Sequence, residues 1–341
     1  MALPLNKRYK PMEALPAREL PSGPEWQYEP KWDGFRCLAF RDGKRVELTS
    51  KAGKPLTRYF PELVQALLAL KAEKFVLDSE IVIPLEGSLS FDHLLMRIHP
   101  AASRVRKLSE STPGVFIVFD LLVDEQGKSL VKEPLSVRRK KLEQIAKRYL
   151  KGNRSIRLSP VTEDPEVARK WFRMGVVLDG VIAKRRDLSY QSGERTGMQK
   201  IKRQRTADCV VGGFRYLEKK PLVGSLLLGL YNDEGQLDHV GFTSSIKDED
   251  RATLTKKLEG MIKPPGFTGK APGGLSRWST KRSVEWQPVA PKLVVEVQFD
   301  HFTGGRFRHG TKFLRWRPEK SPQDCTFTQV ERENRSALNL L

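Results

Sequence analysis

Cysteine is scarce in this sequence. Its three copies, Cys37, Cys209 and Cys325, lie far apart in 341 residues and form no C-x-x-C pair. That spacing excludes a disulfide framework, argues against a structural zinc site and points to a reducing compartment. Histidine is thin as well, at five. No H-E-x-x-H occurs, and His93 and His99 miss the zinc-helix spacing, so they read as ordinary surface or core side chains. Long hydrophobic runs are missing. The longest candidate, Leu222 to Tyr231, carries two glycines and is about half the roughly 20 residues a membrane span needs. A soluble protein with no membrane partner is expected. Met1 to Lys10 is basic but has no apolar h-region, so no secretory signal is expected and the cytoplasm is the expected location. Acidic charge is in deficit: 61 Lys+Arg stand against 41 Asp+Glu, a net charge of +20. Such an excess points to a polyanionic partner, nucleic acid first.

What is present suffices for a globular protein. Apolar residues make up 39%, which supports a real core and excludes disorder over the whole chain. The length predicts two domains. Residues 1–25 are proline-rich and read as an extended arm. Phe35–Phe40 and Val46–Ser50 flank Asp42-Gly43, a hairpin signal. Pro61–Lys71, Val137–Leu150 and Pro165–Met174 read as helices, and Phe75–Ile83, Val115–Val123, Val176–Lys184 and Gln199–Lys202 as strands. The character changes near Thr206. Beyond it, short β-like segments (Asp208–Gly212, Ser225–Tyr231, His239–Phe242 and Leu293–Phe299) surround one helix, Lys247–Ile262, and a Pro/Gly-rich loop, Lys263–Gly274. That pattern suits a small β-barrel such as an OB-fold. The expected division is therefore 1–205 and 206–341. Gly212-Gly213 reads as a bulge or turn. Gly127-Lys128-Ser129 ends like a phosphate-binding loop, but position 122, where that motif needs glycine, is Leu122.

The most informative stretch is Glu29-Pro30-Lys31-Trp32-Asp33-Gly34-Phe35-Arg36. Taken alone, Lys31 is an ordinary strand-end cation. Its companions change that reading, because four other segments put charge inside apolar β runs, where it is costly unless used. Asp78 and Glu80 share one face of their strand. Asp120 interrupts a wholly apolar run. Asp179 and Lys184 bracket Gly180–Ala183. Lys200 and Lys202, two apart, point to one face. Each alone could be a satisfied core ion pair. Together they supply lysines for phosphates and carboxylates for Mg²⁺, the requirement of nucleotidyl transfer. A lysine nucleophile must be neutral, and nearby cations such as Lys184, Lys200 and Lys202 would depress its pKa. Lys31 is thus expected to attack the α-phosphate of a nucleotide and expel pyrophosphate.

These segments resemble the covalent nucleotidyltransferases, and most of all the small bacterial ATP-dependent DNA ligases of the C type and the ligase module of the D type. Lys31-Trp-Asp-Gly-Phe-Arg36 matches motif I. Ser50–Gly53 with Leu56–Pro61, and Leu77–Ile81, match the segments that follow it. Phe119–Leu122 matches motif III, and Asp179–Lys184 matches motif IV. Lys200–Lys202 with Arg205–Cys209 matches motif V, and Arg315–Lys320 is similar to motif VI. The resemblance runs from about Tyr28 to Thr326.

It implies an α+β protein: an adenylation domain of antiparallel sheets and helices, then a C-terminal OB-fold barrel. It implies that Lys31 is the adenylated nucleophile, that Glu29 meets the adenine amino group, and that Arg36 meets the ribose. Glu80 would serve ribose or metal, Phe119 would stack on adenine, and Lys51 would serve phosphate or ribose. Lys184 is the basic residue of motif IV. Lys200 and Lys202 would bind the α-phosphate, and Arg317 and Lys320 would orient the leaving pyrophosphate. Asp33, Glu80 and Asp179 would hold Mg²⁺, with Mn²⁺ as an alternative. Three positions depart from the family pattern: Lys51 stands for Arg, Ser79 for Gly and Asp179 for Glu.

The implied activity is sealing of nicked duplex DNA with ATP, by a monomer, in repair, near the bacterial nucleoid, beside a repair polymerase or end-joining partners. Phe299–Lys320 interleaves aromatics with Arg306, Arg308, Lys312, Arg315 and Arg317. The aromatics read as barrel core and the arginines as phosphate contacts, with the basic run Arg138–Lys141 as a further backbone contact or a solvated face. Two other readings stay open from the residues: an RNA ligase or capping-type guanylyltransferase, and a non-catalytic OB-type nucleic-acid-binding protein.

Overall fold

A computed structural model describes residues 3–85, 88–173, 178–202, 205–273 and 285–330. Their contacts gather into two compact units that meet in sequence between residues 202 and 205.

The first unit opens with the extended arm, which contributes a short strand, β1 (Leu15–Ala17). Strand β2 (Trp26–Pro30) precedes the hairpin β3 (Phe35–Asp42) and β4 (Arg45–Ser50). Helix α1 (Pro61–Leu68), strand β5 (Lys74–Val82) and the small hairpin β6 (Pro84–Leu85) and β7 (Ser88–Leu89) follow. Helices α2 (Phe91–Arg97) and α3 (Ala102–Ser111) lead to β8 (Val115–Val123). The unit continues with α4 (Leu135–Tyr149), β9 (Ile156–Leu158), α5 (Pro165–Arg173), β10 (Gly180–Arg185) and β11 (Met198–Lys202). Two sheets result. The larger runs β4-β3-β5-β8-β9 and the smaller β1-β11-β10-β2. Both are antiparallel except at β8–β9 and β1–β11, which pair in parallel.

The two sheets account for the hydrophobic patterning. Helices α1 and α4 place Leu63, Leu67, Leu142 and Ile145 on one face of the larger sheet, against Phe75, Leu77, Phe116 and Val118. The opposite face carries Val76, Val82, Ile117 and Leu122, which join clusters shared with Tyr28, Val181, Met198 and Ile201 of the smaller sheet. Strand β8 is therefore buried at every residue, the physical reason its sequence is a nearly continuous apolar run.

In the second unit, β12 (Arg205–Leu217), β13 (Lys220–Tyr231) and β14 (Leu237–Thr243) form a meander followed by α6 (Asp248–Glu259). Then come β15 (Gln287–Pro288), β16 (Val294–Phe299), β17 (Phe302–Thr303), β18 (Arg306–Phe307) and β19 (Lys312–Trp316). The sheet order is β14-β13-β12-β16-β19. Thr311, at the start of β19, bridges to Thr243 at the end of β14. The Thr311 N–H donates to the Phe242 carbonyl at 3.0 Å, so the two edge strands meet and the exposed edges are removed. This is the OB-fold. The pairing of β12 with β13 shifts register between Val211 and Gly213, which is the bulge expected at the glycine pair.

Some expectations need correction. Helices α2 and α3 do not stand out in the sequence: α2 is only seven residues long, too short to show a helical period, and α3 buries only Val105 and Ser109. The expected strand at Val176 begins at Gly180 among the described residues, and Met174, Val176, Val177 and Gly274 lie outside them. The basic run on α4 is not a free cationic face. Arg138 is buried and forms a bidentate pair with Asp120, both bonds at 2.9 Å. Arg139 donates to Glu143 and to the Ser159 carbonyl, and Lys141 pairs with Asp124. Asp120 therefore serves the core and no metal or phosphate.

Candidate active site

Motif I crosses from one sheet to the other. Strand β2 of the smaller sheet ends at Pro30, and β3 of the larger begins at Phe35. Lys31 to Gly34 form the link. Its backbone is clasped by the start of β10: the Lys31 N–H donates to the Gly180 carbonyl at 2.9 Å, and the Asp179 N–H donates to the Lys31 carbonyl at 3.0 Å. Two glycines make this close approach workable. A Cβ on Gly34 would collide with the Ile81 carbonyl oxygen, and one on Gly180 with that of Ile201. Gly180 also has φ +138°, a region L side chains rarely adopt. Trp32 anchors the link by donating its indole N–H to Ser159 Oγ at 3.0 Å.

The side chains around the link line a cleft of about 140 Å³. Glu29, Lys31, Arg36, Lys51, Glu80, Phe119, Lys184 and Lys200, all expected from the sequence, line it. Lys31 makes an ion pair with Asp179, and Lys202 lies 3.5 Å from the same carboxylate. Asp33 and Glu80 act on Lys31 electrostatically, so all three predicted metal-holding carboxylates stabilise the charged form of one amine. Among the described residues no three His, Cys, Asp or Glu side chains form a ready-made metal cluster. The donors gathered are carboxylates, the ligand type a hard cation such as Mg²⁺ takes.

Glu29 is buried and accepts from Lys184 Nζ at 2.8 Å and from Gln27 Nε2 at 3.1 Å. The Lys184 ammonium sits 4.4 Å from the Phe119 ring centroid, and the Arg36 guanidinium 4.5 Å from it. Cations thus cover the aromatic ring expected to stack a base. Arg36 is fixed by a bidentate pair to buried Asp78 at 2.6 and 2.7 Å. Asp78, grouped from the sequence with possible metal carboxylates, is spent on that arginine. Ser79, in place of the family's glycine, donates to the Cys37 carbonyl across the strand pair at 2.8 Å.

The charge state of Lys31 departs from expectation. Burial pushes its pKa down, but the charge and hydrogen bond of Asp179 outweigh it, with Glu80 and Asp33 adding to the rise above the usual 10.5. Two of the cations expected to depress it are themselves matched by carboxylates: Lys184 by Glu29, and Lys202 by Asp179, which it shares with Lys31. Lys200 is the lysine that is depressed, by burial first and then by Lys202, Lys31, Lys51 and Arg195. Glu80 moves the other way. Burial raises it to about 7, with Arg36 and Lys31 pulling down and Asp33 and Asp78 pushing up.

The sequence reading missed the arm. Met12, Glu13 and Ala14 line the cleft, and Glu13 bridges Lys51 at 3.1 Å and Arg195 at 3.3 Å. Only the proximity of an acidic residue to a proline-rich stretch could have flagged it. Arg317 and Lys320 belong to the second unit. There Arg317 pairs with Glu319 at 2.6 Å and Asp208 at 2.9 Å, and lies 3.5 Å from Glu296. Lys320 lies 4.0 Å from Asp324. Arg315 pairs with Glu296, and Phe299 and Phe307 are buried in the barrel core, as the interleaved pattern implied for the aromatics.

An adenylation unit with a lysine among carboxylates and lysines, followed by an OB barrel, defines a covalent nucleotidyltransferase. Residues 7–202 match the ATP dependent DNA ligase domain family, and residues 219–320 match the ATP dependent DNA ligase C terminal region. DNA ligase C2 of Mycolicibacterium smegmatis is 42% identical over 97% of this chain and 96% of its own length. DNA ligase C of Mycobacterium tuberculosis is 41% identical, with 97% and 96% covered. A solved structure of mycobacterial DNA ligase D complexed with ATP and MES is 28% identical, covers 96% of this chain and 99% of its own, and has a TM-score of 0.51. The chain belongs to the ATP-dependent DNA ligase family. Its activity is ATP-dependent joining of DNA, which selects one of the three readings the residues left open.

Proposed function

We propose that this chain seals nicks in duplex DNA through a lysyl-AMP intermediate on Lys31. The Lys31 nitrogen, once neutral, attacks the α-phosphorus of ATP. The bond to the bridging oxygen breaks, pyrophosphate leaves, and the amine proton passes to solvent. A 5′-phosphate oxygen at the nick then attacks the same phosphorus, the P–N bond breaks and Lys31 is released. Last, the 3′-hydroxyl attacks the 5′-phosphate, AMP leaves and the strand is joined.

The remaining residues take the roles that the resemblance to the family implies. Glu29 and Lys184 meet the base edge and Phe119 its face. Arg36 and Lys51 meet ribose or phosphate, and Lys200 and Lys202 neutralise the α-phosphate. Asp33, Glu80 and Asp179 would hold Mg²⁺ or Mn²⁺, which supplies charge neutralisation on the phosphates when bound. Arg317 and Lys320 orient the leaving pyrophosphate. We assign residues up to 205 to the adenylation domain and those from 206 to the OB-fold domain, although β12 of the second unit already begins at Arg205. The protein acts as a monomer on nicked duplexes at the bacterial nucleoid, in repair, beside a repair polymerase or end-joining factor.

The observation carrying this reading is the Lys31 amine paired with Asp179 at a cleft that Glu80 and Lys200 also line. Incubation with ATP and Mg²⁺ should add one AMP to the wild type by mass spectrometry and none to Lys31→Ala. A wild type that stays unmodified, or a Lys31→Ala protein that still seals a nicked duplex, ends the proposal. Sealing assays with GTP, or with RNA strands at the nick, check the nucleotide and the strand.

A further inference from the structure

We infer that Tyr190, which no motif of the family resemblance includes, is a positioning residue for ATP binding: its single hydroxyl fastens both the cleft arginine Arg36 and the N-terminal arm. The inference rests on the proposed use of Arg36 toward the nucleotide.

Tyr190 lies on the segment between β10 and β11 and is buried. Its hydroxyl donates to Asp78 Oδ2 at 2.5 Å and accepts the Met12 N–H at 3.0 Å. Asp78 is fully buried and spends both carboxylate oxygens on Arg36. The donated bond therefore completes a chain Tyr190–Asp78–Arg36 that ends in the cleft. The accepted bond ties down Met12, and Met12, Glu13 and Ala14 are the arm residues lining the same cleft. One oxygen thus links two walls from different parts of the chain.

The ring is held from both sides of the network. Tyr9, also on the arm, stacks on it with centroids 6.0 Å apart. The Arg138 guanidinium, itself locked to Asp120, lies 5.4 Å from its centroid. Neighbouring backbone bonds run the same way: the Gly193 N–H donates to the Pro11 carbonyl, the Glu13 N–H to Glu194, and Ser192 Oγ to Lys10. The arm then adds β1 to the edge of β11, with Pro16 opposite Lys200. So the arm is a wall of the site, and the Tyr190 side chain joins it to the buried carboxylate behind Arg36. A bond to a charged group of this kind contributes more than a neutral one.

The test is Tyr190→Phe, which keeps the ring and removes only the hydroxyl. Lysyl-AMP formation is followed at varied ATP, and the arm is probed by trypsin, which can cut after Lys7 and Arg8. We expect the ATP concentration at half-saturation to rise about tenfold, with the maximal rate within about twofold, and cleavage in the arm to accelerate. In the wild type, ATP should slow that cleavage. A variant that melts at lower temperature yet keeps the wild-type ATP dependence and arm protection would reduce Tyr190 to a core residue and overturn the inference. So would wild-type cleavage indifferent to ATP, a result that does not depend on the variant folding. Arg36→Ala separates the two layers. If it leaves ATP dependence unchanged, the reading of the cleft fails; if it weakens ATP binding while Tyr190→Phe does not, only the inference about Tyr190 fails.

Discussion

Lys31 and Asp179 are joined twice, by an ion pair between their side chains and by a hydrogen bond from the Asp179 N–H to the Lys31 carbonyl. The second contact comes with the sheet geometry; the first holds the nucleophile in its charged, unreactive form. The cations around Lys31 that the motifs imply are present, but the carboxylate beside it dominates. In this state the attraction outweighs the cost of burial.

That pair predicts a pH profile. With the Lys31 pKa above 10.5, the neutral fraction, and with it kcat/KM for adenylation, should rise about tenfold per pH unit from pH 7 to 9 without a plateau. Asp179→Asn removes the largest raising influence. Its maximal rate falls, because a proposed metal-holding carboxylate is lost, but its plateau should move to lower pH. Single-turnover pyrophosphate release across that range decides, and an unmoved alkaline limb would refute the role given to Asp179.

Glu80 predicts a stability effect of opposite sign to that of an ordinary paired carboxylate. Its folded pKa, about 7, lies above the usual 4.5 because burial disfavours the charge. The folded state therefore binds more protons than the unfolded between those values, and stability falls as pH rises from about 4.5 to 7. Glu80→Gln should melt at higher temperature than wild type above pH 7 and show no advantage near pH 4.5, while losing adenylation activity. Thermal melts across that interval check the sign.

Arg138 and Asp120 make a buried pair within the larger sheet's core. Arg138→Leu should destabilise the first unit by about 3–5 kcal/mol, because it leaves the buried Asp120 carboxylate without its cation. Replacing both with leucine should recover much of that loss. Equal urea midpoints for Arg138→Leu and wild type would show that the pair is dispensable.

Gly180 predicts a loss by geometry. Gly180→Ala must hold a side chain at φ +138° and push against the Ile201 carbonyl, a strain of about 1–3 kcal/mol. Because Gly180 accepts the Lys31 N–H, adenylation should fall at least about tenfold if that strain moves the nucleophile. Unchanged burst adenylation would show that the link tolerates it.

How legible the site was depends on the kind of residue. Glu29, Lys31, Arg36, Glu80, Phe119, Lys184 and Lys200 sit in short motifs where charge interrupts β periodicity, and all line one cleft. Met12, Glu13 and Tyr190 carry no such signal, because each acts through a contact across more than a hundred residues or through backbone hydrogen bonds. Asp78 and Asp120 were visible as charges in apolar strands, but nothing local said that Arg36 and Arg138 claim them.

Local patterning was enough to read the two-part α+β architecture, the strands whose burial demands apolar runs, and the lysine around which the chemistry gathers, since these depend on periodicity and composition within a few residues. It took the folded chain to show that Asp179 pairs with Lys31, that Asp78 and Asp120 are spent on arginines, and that the arm walls the cleft. Those outcomes depend on which opposite charges meet at hydrogen-bond distance after the sheets pack, and no local pattern encodes that meeting.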